Sequence, residues 1–353
     1  MMKCHLCGRK VNSFKKIDTA ELFECKKCQL ITIVDKHNHQ KKLKELYNLK
    51  NYLIEAKRLR RVTSKHVTIV IRLDVKLKKK KNSFLRPLKI LDVGGGYGLF
   101  DSLLFDGLLV DSFLVDSLLV ERFVTNNDSK IDSKTNNDFL GQNFILRKSS
   151  GNKIAKVNRM RKNISKVIEL EIVEPSQKPY FLKKIPHKLY KTTFENFLRK
   201  NRKKYNLVIM MDVLEHFRNP RENLKKALRL LTKDGHLVMQ TPNYQSLMAK
   251  ICKKWSWWMP EDHKYIFSVK SLKKILKKDY EIEYLRTYED FYSFKKNFDG
   301  NFTEIKSSFV RKTIKVIIYS LFFPLYLLFR PILWRLGYGG LIFLVAKKRY
   351  NNN

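Results

Sequence analysis

The stretch Leu88-Lys89-Ile90-Leu91-Asp92-Val93-Gly94-Gly95-Gly96-Tyr97-Gly98 constrains this chain more than any other. A short apolar run that stops at a cluster of glycines reads as a buried parallel strand feeding a helix, because strands covered on both faces are nearly continuous in apolar residues. Gly94, Gly96 and Gly98 permit positive φ and let a ligand approach the backbone closely. Taken alone, such a loop serves dinucleotides, S-adenosylmethionine and flavins equally, or simply makes a tight strand-to-helix turn. The phosphate-binding fingerprint GxGxxG needs a further glycine at 99 or 101, and those positions hold Leu99 and Asp101. A cofactor without a pyrophosphate is the better fit.

The rest of the chain repeats a βαβ rhythm. Strands are expected at Ile168–Val173, Tyr205–Asp212, Gly235–Gln240, Tyr280–Thr287 and Gly340–Lys347, with helices at Arg221–Leu231 and Ser271–Lys278. That pattern predicts a doubly wound, mostly parallel α/β sheet of seven strands with one late antiparallel member. In such sheets ligands bind at the carboxyl ends of the strands. Glu174, which ends the second strand, is where a ribose-binding carboxylate belongs, and a solvated strand-end acid is the plainer alternative. Phe194-Glu195 offers an aromatic face and an acceptor for an adenine amine, or else ordinary core and surface. Asp212 to His216 follows the next strand and should line the same pocket. About 75 residues separate the glycine loop from Glu174, where a βαβ unit needs ~20 to 30, so an insertion is expected over 105–165. Its near-duplicated DSLLFDGLLV and DSFLVDSLLV and its recurring TNND mark it as low-complexity.

The motifs ILDVGGGYG, IVEPS, MDVLEHFRNP and LTKDGHLVMQTPN, in this order, resemble class I S-adenosylmethionine-dependent methyltransferases, nearest to the branch acting on small molecules, quinones and sugars. The resemblance covers 88 to 290 apart from the insertion. It implies a Rossmann-like fold over 88–350 in which Asp92, Gly94, Gly96 and Gly98 bind the cofactor, Glu174 holds its ribose, Glu195 its adenine, and Asp212 and Val213 flank it. It also places WMPEDHKYIFS, Trp258 to Ser268, over the acceptor. His216 and His263 are the candidates for a general base, since imidazole titrates near neutrality. A cap of Trp255, Trp257, Trp258 and Tyr265 that excludes water is a second way to promote transfer.

Residues 1–40 carry Cys4, Cys7, Cys25 and Cys28 spaced C-x2-C-x17-C-x2-C, which matches a structural Zn²⁺ ribbon closed by four thiolates. A helix (43 to 61) and a lysine-rich linker within 41–87 connect this module to the main domain. Thiols kept for a metal, and an N-terminus without an apolar leader before Cys4, predict a cytoplasmic protein. The formal charge of +40, from 73 Lys and Arg against 33 Asp and Glu, would favour polyanions. Lysine outnumbers arginine, Asn and Ile are abundant and the basic residues are spread along the chain, as an AT-rich genome would produce, so nucleic acid is not the expected partner. A nucleic-acid-directed or degenerate methyltransferase is the alternative reading. Lastly, the apolar stretch Val316–Phe329, inside a helical segment at 306–336, is shorter than the ~20 residues of a membrane span and contains Pro324. It is expected to pack on the sheet or to lie at the inner membrane face, with the basic residues of 312–335 at its margins, where a lipid-linked acceptor would be met.

Overall fold

The computed structural model describes residues 2–35, 43, 48–49, 63, 65–70, 87–104, 168–176, 179–183, 185–252, 254–289 and 291–350. Two compact units divide the chain, the first made of Met1–Leu53 with Leu198–Asn353 and the second of Ile54–Phe197. The expected amphipathic helix, apart from Leu43, Asn48 and Leu49, the lysine-rich run Lys76–Lys81 and the insertion at 105–165 lie outside the described residues.

The chain begins, in the first unit, with three antiparallel strands, β1 (Asn12–Ile17), β2 (Ala20–Cys25) and β3 (Leu30–Val34). Ala20 and Leu22 alternate along β2 to face one way, as a pleated strand requires, and they meet Ile31 and Ile33 of β3. This face does not close on itself. It joins a core with Tyr244, Met248, Trp255, Ile266, Phe294 and Tyr326, so the cysteine-bearing segment folds as part of the first unit.

In the second unit β4 (Leu88–Val93), β5 (Ile168–Val173) and β6 (Lys188–Tyr190) run parallel in the order β4-β5-β6. Residues 99–104 form a helical turn after the glycine loop.

The remainder of the first unit carries β7 (Tyr205–Met211) and β8 (Leu231–Pro242), paired in parallel. The two-residue β9 (Tyr265–Ile266) adds an edge to β3. β10 (Tyr280–Tyr288) and β11 (Leu341–Lys348) complete the order β10-β11-β8-β7, with β11 antiparallel to both neighbours. Seven strands of a mixed α/β architecture, with one late antiparallel member, thus match the reading of the sequence. Helix starts follow their local chemistry. Asn219 caps Pro220–Leu230 by accepting from the Glu222 amide at 3.2 Å, with proline at the first helical position. Ser268 and Ser271 cap Val269–Leu276 reciprocally.

One expectation is corrected. The helical segment expected at 306–336 is a continuous helix, Ser308–Arg335, that runs through both Pro324 and Pro331, so its apolar stretch is neither a hairpin nor too short to span. Its 28 residues are long and apolar enough to cross a membrane. Tolerance of the prolines follows from what surrounds the helix. Tyr319, Phe322, Phe323, Tyr326 and Leu333 lie against the first unit's core, and Tyr326 stacks on Phe294 with ring centres 4.2 Å apart. That packing outweighs the lost backbone hydrogen bonds, which propensity alone does not foresee.

The tightest backbone approach in the first unit is at Gly339, where a Cβ would stand 2.3 Å from the Tyr288 nitrogen and 2.7 Å from the Thr287 carbonyl carbon. Backbone atoms cannot rotate away. Gly339→Ala is therefore expected to lower stability by about 3 kcal/mol, read as the shift of the urea midpoint; an unchanged midpoint would show that β10 and β11 can part freely.

Candidate functional site

In the second unit the glycine loop is built by the register of β4 on β5. Val93 pairs with Val173, and the Gly94 amide donates to the Val173 carbonyl at 2.8 Å. Gly94, Gly96 and Gly98 have φ of 70°, 52° and 77°, which is the left-handed region expected of them. Gly95 carries no such signal in the sequence, yet it is the most constrained. Its Cβ would lie 2.5 Å from Asp92 Oδ2 and 2.8 Å from Ile172 Cγ2. A Cβ on Gly96 would meet nothing nearer than the Gly94 carbonyl at 4.0 Å, so open space lies beside Gly96, whereas one on Gly98 would stand 2.8 Å from Leu182 Cγ.

Glu174 sits directly over this loop. One carboxylate oxygen accepts from the Gly96 amide at 3.0 Å, and the other accepts from the Ser176 amide and hydroxyl, both at 2.9 Å. The plainer reading of a solvated strand-end acid is thereby set aside, since Glu174 is 6% exposed. Glu195 stands in the first turn of the helix Phe194–Lys200, beside the buried Phe194.

Asp92 and Asp101 are buried close to one another in the same unit. Burial drives the Asp92 carboxyl well above the carboxylate range, and the neighbouring Asp101 and Glu174 charges add to this. Burial likewise pushes Asp101 up to about 6. In the sequence Asp101 shows only as an anomaly, an acid among Leu99, Phe100 and Leu104.

In the first unit Asp212 ends β7 with φ of 54°, a left-handed conformation uncommon outside glycine and tolerated best by Asn and Asp. Its amide donates to the Gln240 carbonyl at 3.0 Å and its carboxylate accepts from Gln240 Nε2 at 2.8 Å. Tyr288 in turn donates its hydroxyl to Gln240 Oε1. Val213, beside it, is buried.

His216 and His263, which the sequence offers as separate candidates for a base, are brought together by the structure. Their rings lie 5.0 Å apart, and Glu215 completes a group whose ligand-type atoms all fall within 4.8 Å of one another. His216 Nδ1 is 3.3 Å from both the carbonyl and the carboxylate of Asp262. His263 Nδ1 lies 3.1 Å from the Trp257 carbonyl. Burial opposes charge on His216, but Asp262 and Glu215 overcome it and hold the imidazole up at about 9. Burial and the His216 charge bring His263 down to about 3, and burial lifts Glu215 to about 8. The two candidates thus sit as one pair, shifted in opposite directions by Asp262 and by burial. The expected aromatic cap is also altered: Trp255 is buried in the core and stacks edge-on against Trp258 at 5.0 Å.

Cys4, Cys7, Cys25 and Cys28 converge with all four Sγ within 4.8 Å. Cys7 and Cys25 are 3.7 Å apart, close to the ~3.8 Å edge of a tetrahedron with Zn–S bonds of about 2.3 Å. The Leu6 amide and Lys274 Nζ donate to Cys4 and Cys28 at 3.4 and 2.9 Å, as donors around thiolates do. Cys252 is buried apart from them, accepting from Asn301.

A strand-end glycine loop with an acid clamped over it, on an α/β architecture, is the arrangement of cofactor-binding α/β proteins. Residues 69–279 match the model of the methyltransferase domain family, and the chain belongs to that family. Among curated proteins no relative matches. Among solved structures, similar chains include the plantazolicin methyltransferase BpumL in complex with SAH, at 14% identity over 88% of this chain and 99% of that one with a TM-score of 0.39. A SAM-dependent methyltransferase from Archaeoglobus fulgidus matches at 16% identity over 84% and 99%, with a TM-score of 0.38. The [4+2]-cyclase SpnF matches at 12% identity over 79% and 81%, with a TM-score of 0.37.

The Asp101 carboxyl gives a pH signature. Its folded value of about 6 exceeds the ~3.9 of an unfolded aspartate, so its contribution is fully present below pH ~4 and is lost as pH rises through about 6. Thermal melts should show stability falling by about 1.5 kcal/mol between pH 5 and 7.5, and Asp101→Asn should flatten that fall. An equal slope in the variant would remove Asp101 as the cause.

Proposed function

We propose that the chain transfers a methyl group from S-adenosylmethionine to a small or lipid-linked acceptor, such as a sugar or quinone-like molecule. The observation that carries this is the half-buried backbone of Gly94–Gly96, at the end of β4, with the Glu174 carboxylate on the Gly96 amide. A loop of bare peptide, without the glycines or lysine of a phosphate cradle, fits a cofactor of amino-acid and nucleoside parts. On this reading Gly94, Gly96 and Gly98 take the amino-acid part, with Asp92 beneath them shaping the turn. Glu174, held by the Gly96 and Ser176 amides at the end of its strand, is the carboxylate that takes the ribose hydroxyls. Glu195 accepts from the adenine amine, and Asp212 and Val213 flank the cofactor.

When bound, the cofactor supplies a sulfonium-activated methyl group. The chain's own task is then alignment and exclusion of water, worth several kcal/mol without any base. Calorimetry should show S-adenosylmethionine binding to the wild type and none to Gly94→Arg, with Glu174→Ala weakened at least ten-fold. Failure of the wild type to bind would end this reading.

The four cysteines hold a structural Zn²⁺ ion on the same proposal. A closed thiolate site has no open position, so it serves architecture and not catalysis. The ribbon's contacts within the first unit support this, among them Ser268 Oγ to the Gln29 carbonyl at 2.7 Å.

The acceptor is met at a membrane. The face of Ser308–Arg335 turned from the core is apolar and open, with Leu321 68% and Leu328 69% exposed. Lys312, Lys315, Arg330 and Arg335 stand at its margins, as on helices that lie in the lipid interface. A helix docked along one side on the protein has only its other side to give to lipid, which favours lying over crossing, at the inner face of the cell membrane. Flotation with phosphatidylglycerol vesicles should carry the wild type upward, and Leu321→Asp with Leu328→Asp should release it. A dimer broken by the same pair, with no flotation, would assign this face to a second copy instead.

A further inference from the structure

We infer that Glu215, His216 and His263 form a binding site for one divalent first-row transition-metal ion, separate from the four cysteines. The inference stands on the geometry of the first unit and does not rest on methyl transfer.

Each member of the group is already oriented by a neighbour through one polar atom, which leaves the other atom free for an ion. His216 uses Nδ1 toward Asp262, and His263 uses Nδ1 toward the Trp257 carbonyl. The Nε2 atoms remain. This is the arrangement of metal-bound histidines, whose second ring nitrogen donates to a carboxylate or a carbonyl so that tautomer and ring plane are set in advance. Glu215 follows the same rule. Oε2 accepts from the buried Thr241 hydroxyl at 2.9 Å, while Oε1 is buried with no partner. Glu215 is fully buried and His263 is 4% exposed. A buried carboxylate oxygen without a donor costs about 1–3 kcal/mol, and a cation is the ligand that would offset it.

The separations suit an ion. One ligand atom from each residue lies within 4.8 Å of the other two, close enough for small side-chain rotations to bring all three to the ~2.0–2.2 Å of metal–nitrogen and metal–oxygen bonds. Two imidazoles and one carboxylate select Zn²⁺, Fe²⁺, Co²⁺ or Ni²⁺ over Mg²⁺ or Ca²⁺, which prefer all-oxygen shells. Three protein ligands leave at least one position for water or for an oxygen of a bound molecule, unlike the closed cysteine site.

The local sequence explains how three residues from two segments meet. Glu215 and His216 lie in the single 3₁₀ turn after β7. His263 precedes β9, and the Lys264 amide donates to the Glu215 carbonyl at 2.9 Å. That backbone bond fixes the two segments against each other independently of any ion.

The experiment is Co²⁺ loading of the metal-free full chain, read by metal content and by absorption. Thiolate-to-cobalt charge transfer marks the cysteine site, and a second set of weaker ligand-field bands without it marks this one. The wild type should take up two ions per chain. Glu215→Gln, which preserves size and the Thr241 hydrogen bond, should take up one, with the thiolate band unchanged; that band doubles as the check that the fold is intact. His263→Gln should do the same. A wild type that binds one ion, with thiolate absorption only, would overturn the inference, as would a Glu215→Gln variant that still binds two.

Discussion

The parallel pairing of β4 with β5 is the constraint on which the glycine loop depends. A register that sets Val93 beside Val173 brings the Gly94 amide to the Val173 carbonyl and leaves Glu174, one residue on, level with the Gly96 amide. A slip of one residue would turn each strand's side chains to the opposite face, and Glu174 would no longer reach the loop. Gly95 enforces the same closeness from the other side, because any side chain there would strike Asp92 and Ile172. The loop's shape is thus a consequence of strand register, and the positive φ of three glycines is what so sharp a turn requires.

Much of this is legible in the amino-acid sequence alone. The apolar runs mark β4, β5 and β7 within a few residues because buried parallel strands have no polar face to blur them, and the antiparallel β11 is equally plain because it is buried on both faces. The glycines at 94, 96 and 98 are readable because no other residue tolerates their backbone angles cheaply. Gly95 is not, since its requirement comes from two atoms brought near by the fold. The same holds for the Asp262, Thr241 and Trp257 partners of the Glu215–His216–His263 group. Their spacing along the chain, up to 48 residues between Glu215 and His263, carries no periodic signal. The long helix is hard to read for a related reason: Pro324 and Pro331 argue for a break locally, and the stacking of Phe294 and Phe322 on Tyr326 that holds the helix together is tertiary.

The cysteine segment illustrates how a small module can escape the limits of its size. Fewer than ~40 residues bury too little surface to stand alone, and the ribbon meets this in two ways at once. Its four thiols converge, and its apolar face is sealed by Tyr244, Trp255 and Ile266 from distant sequence. Polar ties add direction to that seal. Ser268 caps a helix and donates to the Gln29 carbonyl, Arg221 reaches the Leu6 carbonyl, and Tyr244 donates to Glu24. Separation of the four thiols would therefore loosen one end of a unit whose apolar seal persists.

Two buried polar groups remain that packing cannot explain. The Asp92–Asp101 pair, and Glu215 with His263 in the second group, place ionisable side chains in the buried interior, where apolar residues of similar size are often as stable or more so. They answer the burial differently. The two aspartates are relieved by protonation, and their carboxyls are driven upward. The second group holds its histidines by Nδ1 and its glutamate by one oxygen, and one ligand-type atom of each residue lies within 4.8 Å of the other two. Proton sharing satisfies such a trio only in part, because three acceptors and donors facing inward compete for the same space. A single cation at their centre would satisfy all three at once, which is why the same packing argument that is met at the aspartates by a proton leads, at Glu215, to a metal.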